Sequence, residues 1–243
     1  MTQLASYPIH TFRNLAEQHP LWNHNFLGKC RAGKLTLSEV RCLAVGMYQF
    51  SKEFNRILAG IMSCCPEASA QLVILENLYD EMGEGDPRRS HPALFRRFTR
   101  ELGIDDETLE TLPTSSQTQA LIETYLSLPH RYGYLAALGA MCFASEGIVN
   151  ALYVQLHNGI SGASPFSKDS LVFFELHIDL DSDRAAKLET IVEPRIQSVE
   201  EAKRVQRAIG AAMNARVRFF DGIDRQAAQL GAAIDLPMAL ASF

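Results

Sequence analysis

Three stretches of this chain carry residues that can bind a metal or move a proton. The first is Phe173-Phe174-Glu175-Leu176-His177-Ile178-Asp179-Leu180-Asp181-Ser182-Asp183-Arg184. A helix turns about 100° per residue, so His177, Asp181 and Arg184 at i, i+4 and i+7 share a face. A histidine and a carboxylate one turn apart can reach a single ion from a rigid backbone, as in the metal sites of helical bundles. A structural His–Asp pair uses the same spacing, and Asp179 and Asp183 read as a solvated, salt-bridged face. The second stretch runs from Gly139 to Leu152 and sets Glu146 among apolar and small residues. An ionised carboxylate there is costly unless it is paired or metal-bound; a glutamate at the bundle end, or one bonded to an arginine, is the plainer alternative. The third is Asn77 to Asp86 followed by Ser90-His91-Pro92. Glu81 closes one predicted helix and His91 opens the next, and a glycine-containing turn can fold both side chains to one point. His91 also suits a helix start ahead of Pro92, and Glu84 and Asp86 read as solvated loop charges. Together the stretches offer three carboxylates and two histidines. That mixture of oxygen and nitrogen donors suits iron or manganese better than a structural zinc.

The elements that must position these groups read as helices. Apolar residues recur mostly at three- and four-residue steps, and strand patterning is weak throughout. Helices are expected over Thr11 to Gln18, Leu21 to Arg31, Thr36 to Cys64, Pro66 to Met82, Pro92 to Leu102, Ser116 to Leu128, Tyr132 to His157, Asp169 to Ile191 and Val199 to Leu230. Thr36-Leu37-Ser38-Glu39 is a start signal, and Pro129 is read as closing the Ser116 helix. The Tyr132 helix is apolar on nearly all sides and is expected to be central. Asn158 to Ser167 reads as the clearest loop. No internal repeat or low-complexity linker divides the chain, so the expected architecture is all-α, one compact bundle of seven to nine helices over residues 1–243.

Composition bounds the function classes. The chain has 243 residues, 47% of them hydrophobic, and a formal net charge of −5, ordinary for a globular protein with a real core. No basic patch points to nucleic acid. No stretch is expected to reach the roughly 20 apolar residues that span a bilayer, and no cationic start with an apolar run suggests a signal peptide. The five cysteines are odd in number and lack zinc-finger spacing, which reads as free thiols in a reducing, cytoplasmic setting. Cys142, one turn before Glu146, reads as a small core residue.

With these motifs in view, the sequence resembles the haem-oxygenase-like family that contains the Chlamydia protein associating with death domains, pyrroloquinoline-quinone synthase and non-haem di-iron oxidases. The resemblance covers nearly the whole chain. It runs from His19-Pro20 through Gly33-Lys34-Leu35-Thr36 and Met47-Tyr48-Gln49-Phe50, then Asn77 to Gly83, Ser90-His91-Pro92 and the Glu146 segment. It closes on Arg218-Phe219-Phe220-Asp221-Gly222-Ile223. In that family the metals are held by Glu, His, Glu and a His-x3-Asp/Glu-x2-His helix. Residue by residue this implies Glu81, His91, Glu146, His177 and Asp181 as ligands. At the sixth position the family calls for His and this chain has Arg184. Arginine cannot ligate and is always charged. The step from Glu81 to His91 is also a few residues longer than the family pattern.

The resemblance thus implies an oxygen-dependent non-haem iron (or manganese) oxidoreductase acting on a small molecule. Arg184 implies one ion, or none, in place of two. It is expected to pair with Asp181 or Glu146, or to anchor a substrate carboxylate. Three alternatives stand beside it: a cofactor-free, quinone-synthase-like oxidase, a thiaminase-like hydrolase of the same fold, which the reading of Cys142 as a core residue disfavours, and a metal-free ligand-binding or interaction protein. The family includes a member proposed to sacrifice its own Tyr and Lys in making an aminobenzoate. Leu21-Trp22 and Gln155 stand near those positions here, so that activity is not carried over. A homodimer is the expected assembly, as the commonest for soluble proteins.

Overall fold

The computed structural model describes residues 9–234, without the side chains of 179–183 and 231–234. Among the described residues the chain is all-α, with no strand. Eleven α-helices follow in order: α1 His10–Glu17, α2 Asn25–Arg31, α3 Leu37–Cys64, α4 Ala68–Glu81, α5 His91–Glu101, α6 Asp106–Thr111, α7 Ser116–Tyr132, α8 Tyr134–Met141, α9 Gly147–Ala163, α10 Lys168–Val192 and α11 Val199–Ile234. This exceeds the expected seven to nine. Three 3-10 turns, Pro20–Asn23, Pro87–Arg89 and Glu193–Arg195, tighten the connections, and one π-helical turn, Cys142–Glu146, joins α8 to α9.

The start of α3 is where the sequence signal lies. The Thr36 hydroxyl accepts from the Glu39 N–H at 3.2 Å, and Glu39 Oε2 accepts from the Thr36 N–H at 2.7 Å, so two helix-start donors are satisfied reciprocally. Other boundaries differ for physical reasons. Pro129 does not end α7 but sits buried inside it, and the helix runs to Tyr132 before Gly133 stops it. The six-residue α6 was not expected; Asp105 caps it through the Thr108 N–H. The predicted loop from Asn158 is helical as far as Ala163. Its glycines serve packing rather than turning: a Cβ on Gly159 would lie 2.8 Å from the Cys30 Cα, and one on Gly162 2.5 Å from the Gly33 carbonyl oxygen.

The run Tyr134–Ala163 is central. By length and hydropathy it does pass for a membrane span, contrary to the expectation from sequence, but 83% of its apolar window is buried inside the protein. α10 packs along α9 and α5; α11 packs along α7 and α8. Phe95, Phe98, Phe173 and Phe174 interlock edge to face at the α5–α10 seam, with ring centroids 4.6–5.9 Å apart. That geometry suits the quadrupoles of aromatic rings and closes the seam to water. All five cysteines are free thiols.

Candidate metal centre

Glu81 ends α4 and His91 begins α5. The connection between them turns on Gly83, whose φ of +84° only glycine adopts without strain. A Cβ there would also lie 2.3 Å from the Asp86 carbonyl oxygen and 2.5 Å from the Ser90 nitrogen. The exposed pairs Arg88–Asp86 and Arg89–Glu84 lie on the outer side of this turn. Its inner side brings His91 Nδ1 to 2.6 Å from Glu81 Oε2, both side chains being buried. His91 Nδ1 nevertheless completes no hydrogen bond of acceptable geometry. So short an N···O approach suits a charged His–Glu pair and two ligands of a common cation alike.

His177 comes to the same place from α10. Its Nδ1 lies 2.7 Å from the Phe173 carbonyl oxygen, which can only accept, so Nδ1 carries the proton. Nε2 is then the lone-pair nitrogen. Burial, helped by the neighbouring His91, pushes the His177 pKa down to about 3 and keeps the ring neutral. A histidine whose second nitrogen is tied to a backbone carbonyl is the usual supporting arrangement of a metal ligand. The ring is held between Tyr153, stacked at 4.7 Å and 13°, and Phe173 at 4.3 Å. Ligand atoms of Glu81, His91 and His177 all lie within 4.8 Å of one another.

The other predicted residues are placed as follows. Glu146 lies in the π-helical turn, only 4% exposed, and its Oε1 accepts from Asn77 Nδ2 at 3.0 Å. It borders the same cavity as Glu81 and His177 but is not in the close triple. Burial, reinforced by the Glu81 charge, raises its pKa against the pull of Arg184 and the Asn77 bond. Asp181 belongs to α10, but its side chain lies outside the described residues. Arg184 pairs with Glu81 Oε1 at 2.9 Å and Asp80 Oδ2 at 3.6 Å; of the two partners expected from sequence, Glu146 feels its charge, and the side chain of Asp181 lies outside the described residues. Burial alone would raise the Glu81 pKa, but His91, Arg184 and His177 outweigh it and hold the carboxyl at about 2. Each Glu81 oxygen therefore has its own cationic or imidazole neighbour. Two imidazoles and one carboxylate are the donor set of mononuclear non-haem iron sites, and the neutral His177 and ionised Glu81 are in the protonation states that ligation requires.

A cavity of about 60 Å³ opens beside this triple. Its walls are mostly apolar, with Phe50, Leu152 and Phe219 among them, and include Ser145, Tyr153 and Arg216. Arg216 and Asn77 were not among the residues singled out from sequence. Arg216 was legible in principle: it interrupts the buried stripe Ala212, Ala215, Phe219, Ile223 of α11, where a charge has no structural place.

Comparison with known proteins agrees with this geometry. The haem-oxygenase-like family model described as "iron-containing redox enzyme" matches residues 41–217, a span that includes Glu81, His91, Glu146, His177, Asp181 and Arg184. The chain is 27% identical over 184 residues to a 4-aminobenzoate synthase of Chlamydia pneumoniae, covering 74% of this chain and 80% of that protein. Among solved structures, a domain with a haem-oxygenase-like fold from Shewanella denitrificans superposes with a TM-score of 0.75 at 15% identity, covering 97% and 95% of the two chains. A CADD-like protein from Nostoc punctiforme superposes with a TM-score of 0.72 at 20% identity, covering 95% and 96%. The fold, the buried Glu–His–His group and the matched span together place this chain in the haem-oxygenase-like family of iron-containing redox enzymes.

Proposed function

We propose that this protein is an oxygen-dependent, non-haem iron oxidoreductase that holds one ferrous ion on Glu81, His91 and His177 and acts on a small molecule in the adjoining cavity. The observation that carries the reading is the buried triple within 4.8 Å, with Arg184 bonded to the carboxylate of that same triple. When bound, iron supplies the electron transfer to oxygen that no side chain can supply.

The chain's own residues do the rest. Phe173 and Tyr153 fix the His177 ring, so the lone pair of Nε2 is presented without a search over rotamers. The aromatic cluster of α5 and α10 excludes water, which strengthens every charge interaction inside. Burial favours the protonated form of Glu146, so its carboxyl can hold a proton at the cavity wall and exchange it with a bound molecule. Arg184 gives Glu81 a fixed positive neighbour and removes the imidazole that a second ion would need.

The test is elemental analysis after anaerobic loading with ferrous iron and removal of excess. Wild type is expected to retain a single iron per chain, Arg184→His more than wild type, and Glu81→Ala none. Two irons in wild type with no gain in the His variant would show that Arg184 does not replace a ligand. The Arg184–Glu81 pair also supports a second reading, a metal-free binding pocket, for which wild type retains no iron.

A further inference from the structure

Arg216 is 8% exposed, deep in α11, and borders the cavity next to the Glu81–His91–His177 triple. Its described partners are all neutral. Nε donates to the Ala144 carbonyl and to Tyr125 Oη, both at 3.2 Å, and Nη2 to Ser145 Oγ at 3.3 Å. The guanidinium also stands over the rings of Phe50 and Tyr125, 5.6 and 5.5 Å from their centroids. Among the described residues no carboxylate forms an ion pair with it, whereas Arg184 at the other side of the site has two.

A guanidinium cannot shed its charge, and a buried charge without a counter-ion is expensive. Its two edges serve different ends. The Nε edge ties down the π-helical turn, whose Ala144 carbonyl also accepts from Tyr125 Oη at 2.8 Å. Nη1 is left out of every described hydrogen bond, on the edge able to form a two-pronged bond with an anion. The surrounding walls, Met47, Phe50, Leu121 and Phe219, are apolar. An anion that entered with an apolar body would neutralise Arg216 while burying its remainder against those side chains.

We infer that Arg216 anchors the carboxylate of the molecule bound in this cavity, and that the substrate class is a small carboxylic acid with an apolar body. The anchored end lies at Arg216, and the body extends toward the Glu81, Glu146 and His177 wall. This rests on the functional reading above only for the word substrate; the binding claim concerns the chain alone. A planar carboxylate matches the guanidinium fork, and a cavity of about 60 Å³ favours a short acid.

The test uses the full-length protein stripped of metal, with butanoate and its neutral isostere butanamide as probes. Affinities are read by ligand-observed NMR, and the Arg216 side-chain nitrogens are followed by ¹⁵N NMR. Butanoate is expected to bind wild type about tenfold or more tighter than butanamide, the weight of a charge-assisted hydrogen bond, and to move the Arg216 resonances. Arg216→Gln should lose the preference and Arg216→Lys keep part of it. Equal binding of acid and amide, unmoved Arg216 resonances at saturating butanoate, or a folded Arg216→Gln variant that binds butanoate like wild type would each overturn the inference. Should Arg216→Gln fail to fold, the two wild-type measurements decide. Iron retention is measured separately. Iron without acid preference overturns this inference alone, and acid preference without iron overturns the metal reading alone.

Discussion

His177 gives its Nδ1 hydrogen to Phe173 and stays neutral to about pH 3, and this has a cost in acid. The unfolded ring takes up a proton near its ordinary value of 6.5 while the folded ring resists. The stabilising contribution is therefore complete above about 6.5 and is withdrawn as the pH falls toward about 3. Glu81, ordinarily near 4.5 and held at about 2, adds a second loss in the same direction, beginning lower. The Tm of the metal-free protein should accordingly fall in two overlapping stages on acidification, and His177→Phe should remove the upper one. Calorimetry across that range checks this; an upper stage unchanged in the variant would place the titration on another group. Glu146 works with the opposite sign. Its raised pKa means that its contribution is present at low pH and lost as pH rises through the folded value. The isosteric Glu146→Gln keeps an acceptor for Asn77 and cannot ionise. It is expected to raise the metal-free Tm by a few degrees at neutral pH and leave it unchanged in acid.

At the scale of elements, the site depends on two departures from regular helix. One is the turn on Gly83. Gly83→Ala would meet both a positive φ and backbone atoms at 2.3–2.5 Å, so we expect a destabilisation of about 1–3 kcal/mol together with loss of iron retention. Denaturant unfolding and elemental analysis measure the two, and a variant with wild-type stability would mean that the turn relaxes freely. The other is the π-helical turn that carries Glu146, followed by Gly147, where a Cβ would lie 2.6 Å from the Cys142 carbonyl oxygen. The first departure was legible in the sequence because a Gly-rich stretch separates two helical patterns, with Glu81 and His91 at its edges. The second was not: one extra residue in a helical turn leaves the apolar pattern of 139–152 nearly unchanged, and only packing against neighbours reveals it. The start of α3 was legible because Thr36 and Glu39 satisfy one another locally. The continuation of α9 past Asn158 was not, since Gly159 and Gly162 look like turn residues until α2 is seen lying against them. Arg216 lies between these cases: its place in the buried stripe of α11 was legible from spacing, but that no carboxylate among the described residues forms an ion pair with it is a property of packing.

At the scale of the molecule, the helices that carry the site differ in how firmly they are held by anything other than the site. α4 leaves Leu72, Leu75 and Tyr79 exposed, with Met82 exposed just beyond its end, and its inward face ends in Glu81, which meets α5 through His91 and α10 through Arg184. Cutting the second link leaves a buried carboxylate short of a partner. Arg184→Leu should therefore destabilise the metal-free protein by about 1–3 kcal/mol, and ferrous iron should restore more stability to this variant than to wild type. Thermal unfolding with and without iron gives both quantities; equal gains would show that the guanidinium contributes no compensation. The Arg184–Glu81 pair has one further consequence. A centre that needs two ions to quiet its acids cannot settle until both have arrived, so its assembly waits on metal supply. On the reading proposed above, one of the two positive charges is written into the polypeptide and arrives with it from the ribosome. Such a chain would finish folding in the absence of metal and take up iron afterwards, as cargo loaded into a completed vessel.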